Sequence, residues 1–429
     1  PEIVPVEGVG SIRIRGEMAS SSSKAYPEKP QRPRDIALQG LPIWQERDKI
    51  IGMINQFPVF LLQGSTGVGK STAVPFFCVD SMKEKYASAN VLVTQPRRVA
   101  AMGLAKRVAE MAGEQVGKSV GYLVGGDPKR PNNNAQIGMI TFATIDYVRA
   151  VVVHNPGWLS RYTHIVFDEV HERSASADLL YMMVNFELAV KSRSKPRLVV
   201  MTATLNGDLF RHYFQSHCVG TWERGHQCAP HMVKDLVPEP VVLDAPRPFE
   251  TKIFHVDDDC MNGLVEFDVM QGIMKKMRNM SLQLGRGNLG EDAEKSRMCS
   301  LDKNVVTLVA ELIVGRLRTS GRTCLVFLPG LFEIVEVSKA ISQVAKKRDV
   351  NESSLNVTEL HSQLDNADQD EALAPPEEGV YKVILSTDIA ESSLTVPGVT
   401  HVIDCGLHKV PSPGPKCPDF IQLLTRFLS

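Results

Sequence analysis

The sequence predicts an α/β protein built on parallel sheets in two successive units. Short β-branched runs alternate with longer helical patterns, and a cluster of prolines divides those runs into two series. The first series contains Val59 to Leu62, Val91 to Thr94, Ile165 to Phe167 and Leu198 to Met201. The second contains Thr323 to Leu328, Val383 to Ser386 and Val402 to Ile403, separated by helix-like stretches such as Val305 to Arg318. Pro238, Pro240, Pro246 and Pro248 mark a joint near residue 240, which gives one unit over 41–240 and another over 241–429. Residues 1–40, with Ser20 to Ser23 and Pro27, Pro30 and Pro33, carry no sustained apolar period and read as a flexible leader. The polar, glycine-punctuated stretch 279–303 reads as a mobile insertion.

Composition bounds the function. The 429 residues include 48 Lys plus Arg against 49 Asp plus Glu, a formal charge of −1, so no general basic field draws the chain to a polyanion. Any nucleic-acid contact must be local. With 43% hydrophobic and 23% charged residues the chain resembles an average globular protein rather than a disordered one. The 8 cysteines are scattered without CxxC pairs, as expected of reduced thiols in a nuclear or cytoplasmic protein. No apolar run approaches the ~18 residues of a membrane span. His212, His217, Cys218, His226, Cys228 and His231 crowd together, yet their spacing fits no familiar zinc pattern. Lys191, Arg193, Lys195 and Arg197 read as a solvated loop rather than a binding patch.

The chemistry concentrates in two motifs. Gly64-Ser65-Thr66-Gly67-Val68-Gly69-Lys70-Ser71 matches the G-x-x-x-x-G-K-[ST] phosphate loop and follows an apolar strand, the context that motif requires. Its glycines let backbone N–H groups point at phosphate oxygens, while the following helix adds its positive end. Lys70 is placed to reach the β and γ phosphates, and the Ser71 hydroxyl to ligate Mg²⁺. Asp168-Glu169-Val170-His171 follows the strand Ile165 to Phe167, and a strand end delivers such carboxylates to the ligand edge of a sheet. Adjacent acids on a strand alternate in direction, so Asp168 is assigned to Mg²⁺ and Glu169 to the base that activates water. The pair alone would be an ordinary acidic turn; its position downstream of a phosphate loop decides otherwise.

With these residues in view the chain resembles the DExH/DEAH-box branch of superfamily 2 helicases, the RNA-helicase group. Thr94-Gln95-Pro96-Arg97-Arg98-Val99-Ala100-Ala101 is similar to motif Ia, and Thr202-Ala203-Thr204 to motif III. Leu325-Val-Phe-Leu-Pro-Gly330 is similar to motif IV, and Ser386-Thr387-Asp388-Ile389-Ala390-Glu391-Ser392-Ser393-Leu394-Thr395 to motif V. The resemblance covers residues 41–410. It implies two RecA-like P-loop lobes, the second incomplete, with ATP and Mg²⁺ in the cleft and single-stranded RNA across both. It further implies RNA contacts from Arg97, Arg98, Thr141 and Thr387, coupling through His171, Thr202 and Thr204, adenine packing on Arg107, and an activating protein partner.

The sequence also departs from the family. The Gln-Arg-x-Gly-Arg-x-Gly-Arg block expected after motif V does not appear between Pro411 and Ser429. Its arginines stabilise charge on the transferring phosphoryl group, so the chain is expected to be a truncated core that binds ATP and turns it over poorly. The alternative reading is thus a nucleotide-gated RNA clamp; a DNA helicase of similar architecture is a third. Leu373 stands near the place of the family's adenine-stacking aromatic, and Thr141-Phe142-Ala143 replaces the usual Thr-x-Gly.

Overall fold

The computed structural model describes residues 33–83, 88–132, 138–190, 196–203, 207–218, 237–243, 250–255, 271–272, 275, 301, 303–318, 322–390, 396–413 and 421–427. In the first lobe these form β1 (Val59–Gly64), β2 (Asn90–Gln95), β3 (Val120–Leu123), β4 (Met139–Thr144), β5 (His164–Phe167), β6 (Arg197–Thr202) and β7 (Val241–Leu243). They pair in parallel in the order β3-β4-β2-β5-β6-β1-β7. Every residue of β1 is buried, because a central parallel strand is covered on both faces.

Side-chain alternation assigns the two faces. Phe60, Leu62, Val91, Val93, Phe142, Val166 and Val199 pack beneath α1 (Pro33–Gln39), α2 (Arg47–Gln56), α3 (Lys70–Lys83) and α4 (Arg98–Met111). Leu61, Leu92, Ala143, Ile165, Phe167, Leu198 and Val200 face α5 (Ile145–His154), α6 (Ala175–Val190) and α7 (Gly207–Cys218). The result is a three-layer lobe whose strands all end at one edge.

The second lobe contains α8 (Lys303–Leu312), β8 (Thr323–Phe327), α9 (Leu331–Lys347), β9 (Leu355–Leu360), α10 (Asn366–Leu373), β10 (Tyr381–Ser386) and β11 (Val399–Asp404). Its sheet is parallel, in the order β11-β8-β10-β9. Cys324, Val326, Val383 and Leu385 pack against α8 and α9. On the opposite face Leu325 and Ile384 join Ala372 of α10 and Val99 of α4, so one residue of the first lobe enters the core of the second. β12 (Leu407–Pro413) and β13 (Ile421–Phe427) form a separate antiparallel ribbon.

The fold corrects several expectations. The leader does not run to residue 40, since residues 33–39 are helical and bury Arg34 and Leu38. The chain does not leave the first lobe at 240, because β7 extends that sheet beside β1. Of the stretch 279–303, Leu301 is buried in the second core and Lys303 opens α8, while the rest lies outside the described residues. The runs named from the sequence do not include β3, β4, β7 or β9: β3 is a four-residue edge strand containing Gly121 and β9 a half-exposed edge strand, whereas β4 is buried between β2 and β3.

Arg34 explains the helical leader. Its guanidinium meets Asp80 of α3, which also accepts a 3.0 Å hydrogen bond from Arg47 of α2. Arg34 also lies over the Phe76 ring at 5.2 Å. Asp80 thus ties three helices together, and removing it strands buried positive charge. Asp80→Ala is expected to lower first-lobe stability by about 3 kcal/mol, read as a drop in the urea midpoint.

Candidate functional site

The site forms where β1, β2, β5 and β6 end side by side. β1 finishes at Gly64, and residues 65–69 turn back before α3 begins at Lys70. Gly67 (φ 83°) and Gly69 (φ 96°) occupy the left-handed region, which a side chain would resist. A Cβ at Gly69 would also stand 2.8 Å from the Leu41 side chain. The loop is therefore fixed by backbone conformation and by the segment before α2, which donates from Ile43 N to Val68 O at 3.2 Å.

Lys70 is buried and donates to Gly64 O at 2.6 Å and Ser65 O at 3.0 Å. Burial pulls its ammonium below the ordinary lysine range, and the charges of Asp168 and Glu169 oppose that shift. Asp168 has no solvent exposure. Burial raises its carboxyl, against hydrogen bonds from Ser71, Gln95 and the Glu169 backbone and against the charge of Lys70. Gln95 Nε2 donates to Asp168 Oδ2 at 2.6 Å, and Glu169 N donates to Oδ1 at 3.0 Å. Ser71 and Asp168 thus place two hard oxygen donors together, the donor set that suits Mg²⁺. The residues present fit that ion.

Glu169 does not alternate with Asp168 in the way a continuing strand would impose. β5 ends at Phe167, and Glu169 adopts φ 52°, a left-handed turn uncommon outside glycine. The turn lets Val170 N reach Met201 O at 3.1 Å and brings Glu169 Oε2 within 3.4 Å of His171 Nδ1. Thr202 ends β6 and lies in register with Gln63 of β1, on the phosphate-loop strand. Thr204 falls outside the described residues, as does the motif V stretch 391–395.

The strand-contact candidates separate. Arg97 precedes α4, where its guanidinium donates to Asp388 O of the second lobe and lies 3.8 Å from Glu172. Arg98 is exposed at the start of α4, and Thr387 is half-buried just past β10. Thr141, however, is only 4% exposed, in the middle of β4 between β2 and β3. It is not presented to a strand; the residue at the carboxyl end of β4 is Thr144. Arg107 is 66% exposed on α4 and lies 3.9 Å from Glu110. Leu373 of α10 faces α4 across a cleft of about 400 Å³ lined also by Met102, Lys106 and Tyr122.

Sequence reasoning missed Gln95 and Lys382. Lys382 is buried in β10 and donates to the carbonyls of Glu371 (3.0 Å) and Ala374 (2.8 Å), closing the C-terminus of α10. A buried lysine in an apolar strand was the available signal. Of the crowded histidines and cysteines, His212, His217 and Cys218 lie on α7, and 226–231 lie outside the described residues.

Two family models match the chain: DEAD/DEAH box helicase over residues 43–211 and helicase conserved C-terminal domain over residues 304–428. The chain belongs to the DEAD/DEAH box helicases. This helicase chain is 32% identical to "Probable ATP-dependent RNA helicase spindle-E" of Aedes aegypti over 379 residues, 86% of this chain and 25% of that protein. It is 30% identical to "ATP-dependent RNA helicase DHX30" of Gallus gallus over 371 residues, 86% of this chain and 26% of that protein. The helicase chain therefore spans about a quarter of the length of these curated relatives. The crystal structure of the Escherichia coli DEAH/RHA helicase HrpB shares its fold, with a TM-score of 0.60 at 23% identity over 91% of this chain and 40% of that one. Both lobes of the helicase are thus parallel-sheet RecA-like units.

In the helicase, Lys70 donates to two carbonyls of its own loop. Lys70→Ala removes a charge-assisted contact worth about 1.5–3 kcal/mol. It is expected to weaken ATP binding roughly ten- to hundredfold, measured by fluorescence titration with a labelled nucleotide.

Proposed function

We propose that this chain is the ATP-driven core of a DEAH/DExH-type RNA helicase, coupling ATP binding and hydrolysis to movement along or remodelling of single-stranded RNA. One observation carries the reading: the end of β2 bears Gln95 against the carboxylate of Asp168 and, two residues on, Arg97 against the backbone of the second lobe. Nucleotide machinery and inter-lobe contact therefore meet on one strand end. The relatives' names, which describe ATP-dependent RNA helicases, support the same reading.

In this reading the loop 64–69 wraps the triphosphate with backbone N–H groups, and the N-terminus of α3 adds its positive dipole end. Ser71 and Asp168 would hold Mg²⁺, which would supply positive charge to the triphosphate. Lys70 turns from Gly64 O and Ser65 O to the γ phosphate. Glu169 orients the attacking water and takes its proton, with His171 beside its carboxylate as the relay to the second lobe. Arg107 and Leu373 flank the base from α4 and α10. Arg97, Arg98 and Thr387 contact the RNA backbone, and Thr202 and Thr204 link the nucleotide state to lobe movement. Thr141 is left out of this assignment because it is buried within its sheet.

The proposed units are an ATP-binding lobe from residue 33 to 243 and a second lobe from about 301 onward. Among the described residues no helix is long and apolar enough to cross a membrane. The reading places the protein in the nucleus or cytoplasm, acting on RNA with a protein partner as activator.

The test is phosphate release with and without single-stranded RNA. RNA-stimulated release is expected, and Glu169→Gln should reduce it about 10²- to 10⁴-fold while ATP binding persists. RNA retained in an ATP-dependent manner with no release would make the chain a clamp. Equal stimulation by a DNA strand of the same sequence would remove RNA as the discriminated substrate, since the 2′-hydroxyl is what distinguishes them.

A further inference from the structure

Gln95 is a neutral side chain with no solvent exposure, at the carboxyl end of β2. It is 73 residues from Asp168 in sequence, yet its amide lies 2.6 Å from that carboxylate. The register explains the approach: Thr94 pairs with Phe167, so the next residue of each strand leaves the ladder at the same height. An ionised carboxylate has only acceptors, which fixes Nε2 as the end of the amide that faces it. Ser71 at the start of α3 stabilises the same carboxylate, and Glu169 N donates to Oδ1. Asp168 therefore cannot rotate without breaking contacts to three different segments. Gln95 Oε1 has no hydrogen-bond partner among the described residues. A glutamine serving only as core filling would make no charge-assisted bond to a buried carboxylate.

We propose that Gln95 is a positioning residue that holds the Asp168 carboxylate in the orientation that receives Mg²⁺, and so sets how much the metal adds to nucleotide affinity. The inference rests on the reading of Asp168 as the metal carboxylate. It follows the general behaviour of groups behind a ligand, whose hydrogen bonds orient it and tune its affinity without touching the ion.

The experiment is calorimetric titration of the full chain with ADP, once with Mg²⁺ and once with EDTA, alongside Mn²⁺ binding followed by electron paramagnetic resonance in the presence of ADP. Gln95→Met keeps the shape and loses the donor, whereas Gln95→Asn keeps the amide but draws it back by one methylene. Both variants are checked for native melting first, so that at least one folded variant is compared. The expected result is that the affinity gained from Mg²⁺ falls by about tenfold or more, with Mn²⁺ binding weakened in parallel and ADP affinity in EDTA unchanged. An undiminished metal-dependent gain in a folded variant overturns the proposal. So does an equal loss in Mg²⁺ and in EDTA, which would mark Gln95 as structural only. Asp168→Asn is the control: if it retains the metal-dependent gain, the reading of Asp168 itself fails, a different result from failure of Gln95 alone.

Discussion

Asp168 is a carboxylate sealed from solvent, so each neighbour it has must either stabilise negative charge or destabilise the site. Desolvation of such a group is expensive, and the protein answers it with Ser71, Gln95, the Glu169 amide and the charge of Lys70. These come from α3, β2, the turn after β5 and the phosphate loop. Bringing them together requires β2, β5 and the end of β1 to be adjacent or nearly so, which the order β2-β5-β6-β1 supplies. Burial of Phe60, Val93, Val166 and their neighbours on both faces then makes that edge rigid. Lys70, itself buried, donates to two carbonyls of its own loop, because a buried ammonium needs acceptors.

The left-handed turn at Glu169 follows from the same crowding. With Asp168 committed to the phosphate-loop side, a second carboxylate on a straight strand would project to the far face, among the residues that pack on α5 and α6. A positive φ keeps Glu169 at the edge, beside His171, at a backbone cost of order 1–3 kcal/mol.

Much of this was legible in the sequence, for a reason that also marks its limit. Phosphate recognition is local: residues 64–71 form one loop and one helix start, so spacing alone reveals them. Asp168 and Glu169 were legible because they end an apolar strand. Gln95 was not, because its role arises from a partner 73 residues away, and a Thr-Gln-Pro tripeptide carries no hint of that register. Lys382, eight residues beyond one of the carbonyls it caps, was hidden in the same way by an apolar strand pattern. Thr141 failed in the opposite direction: a motif-like position suggested exposure, whereas the pairing of β4 with both β2 and β3 encloses it. The helix at 33–39 was hidden because it opens on Pro33 after a proline-rich stretch, and only the fold reveals that Arg34 meets Asp80.

Among the described residues the lobes meet through Arg97 on Asp388 O, Val99 in the second core and the Lys106–Asp370 pair. Val99 contributes a single apolar side chain to the core of the second lobe, and Lys106 pairs with Asp370 at 3.0 Å with both side chains more than half exposed. Exposed pairs of this kind contribute about 0–1 kcal/mol, and one partly shared valine adds at most a few more. Each lobe, by contrast, has its own buried core and its own closed set of internal contacts, such as the Lys382 cap that keeps α10 fixed to β10. Arg97 sits on that boundary, two residues from Gln95, so the contact to Asp168 and the contact to the second lobe share one short strand end.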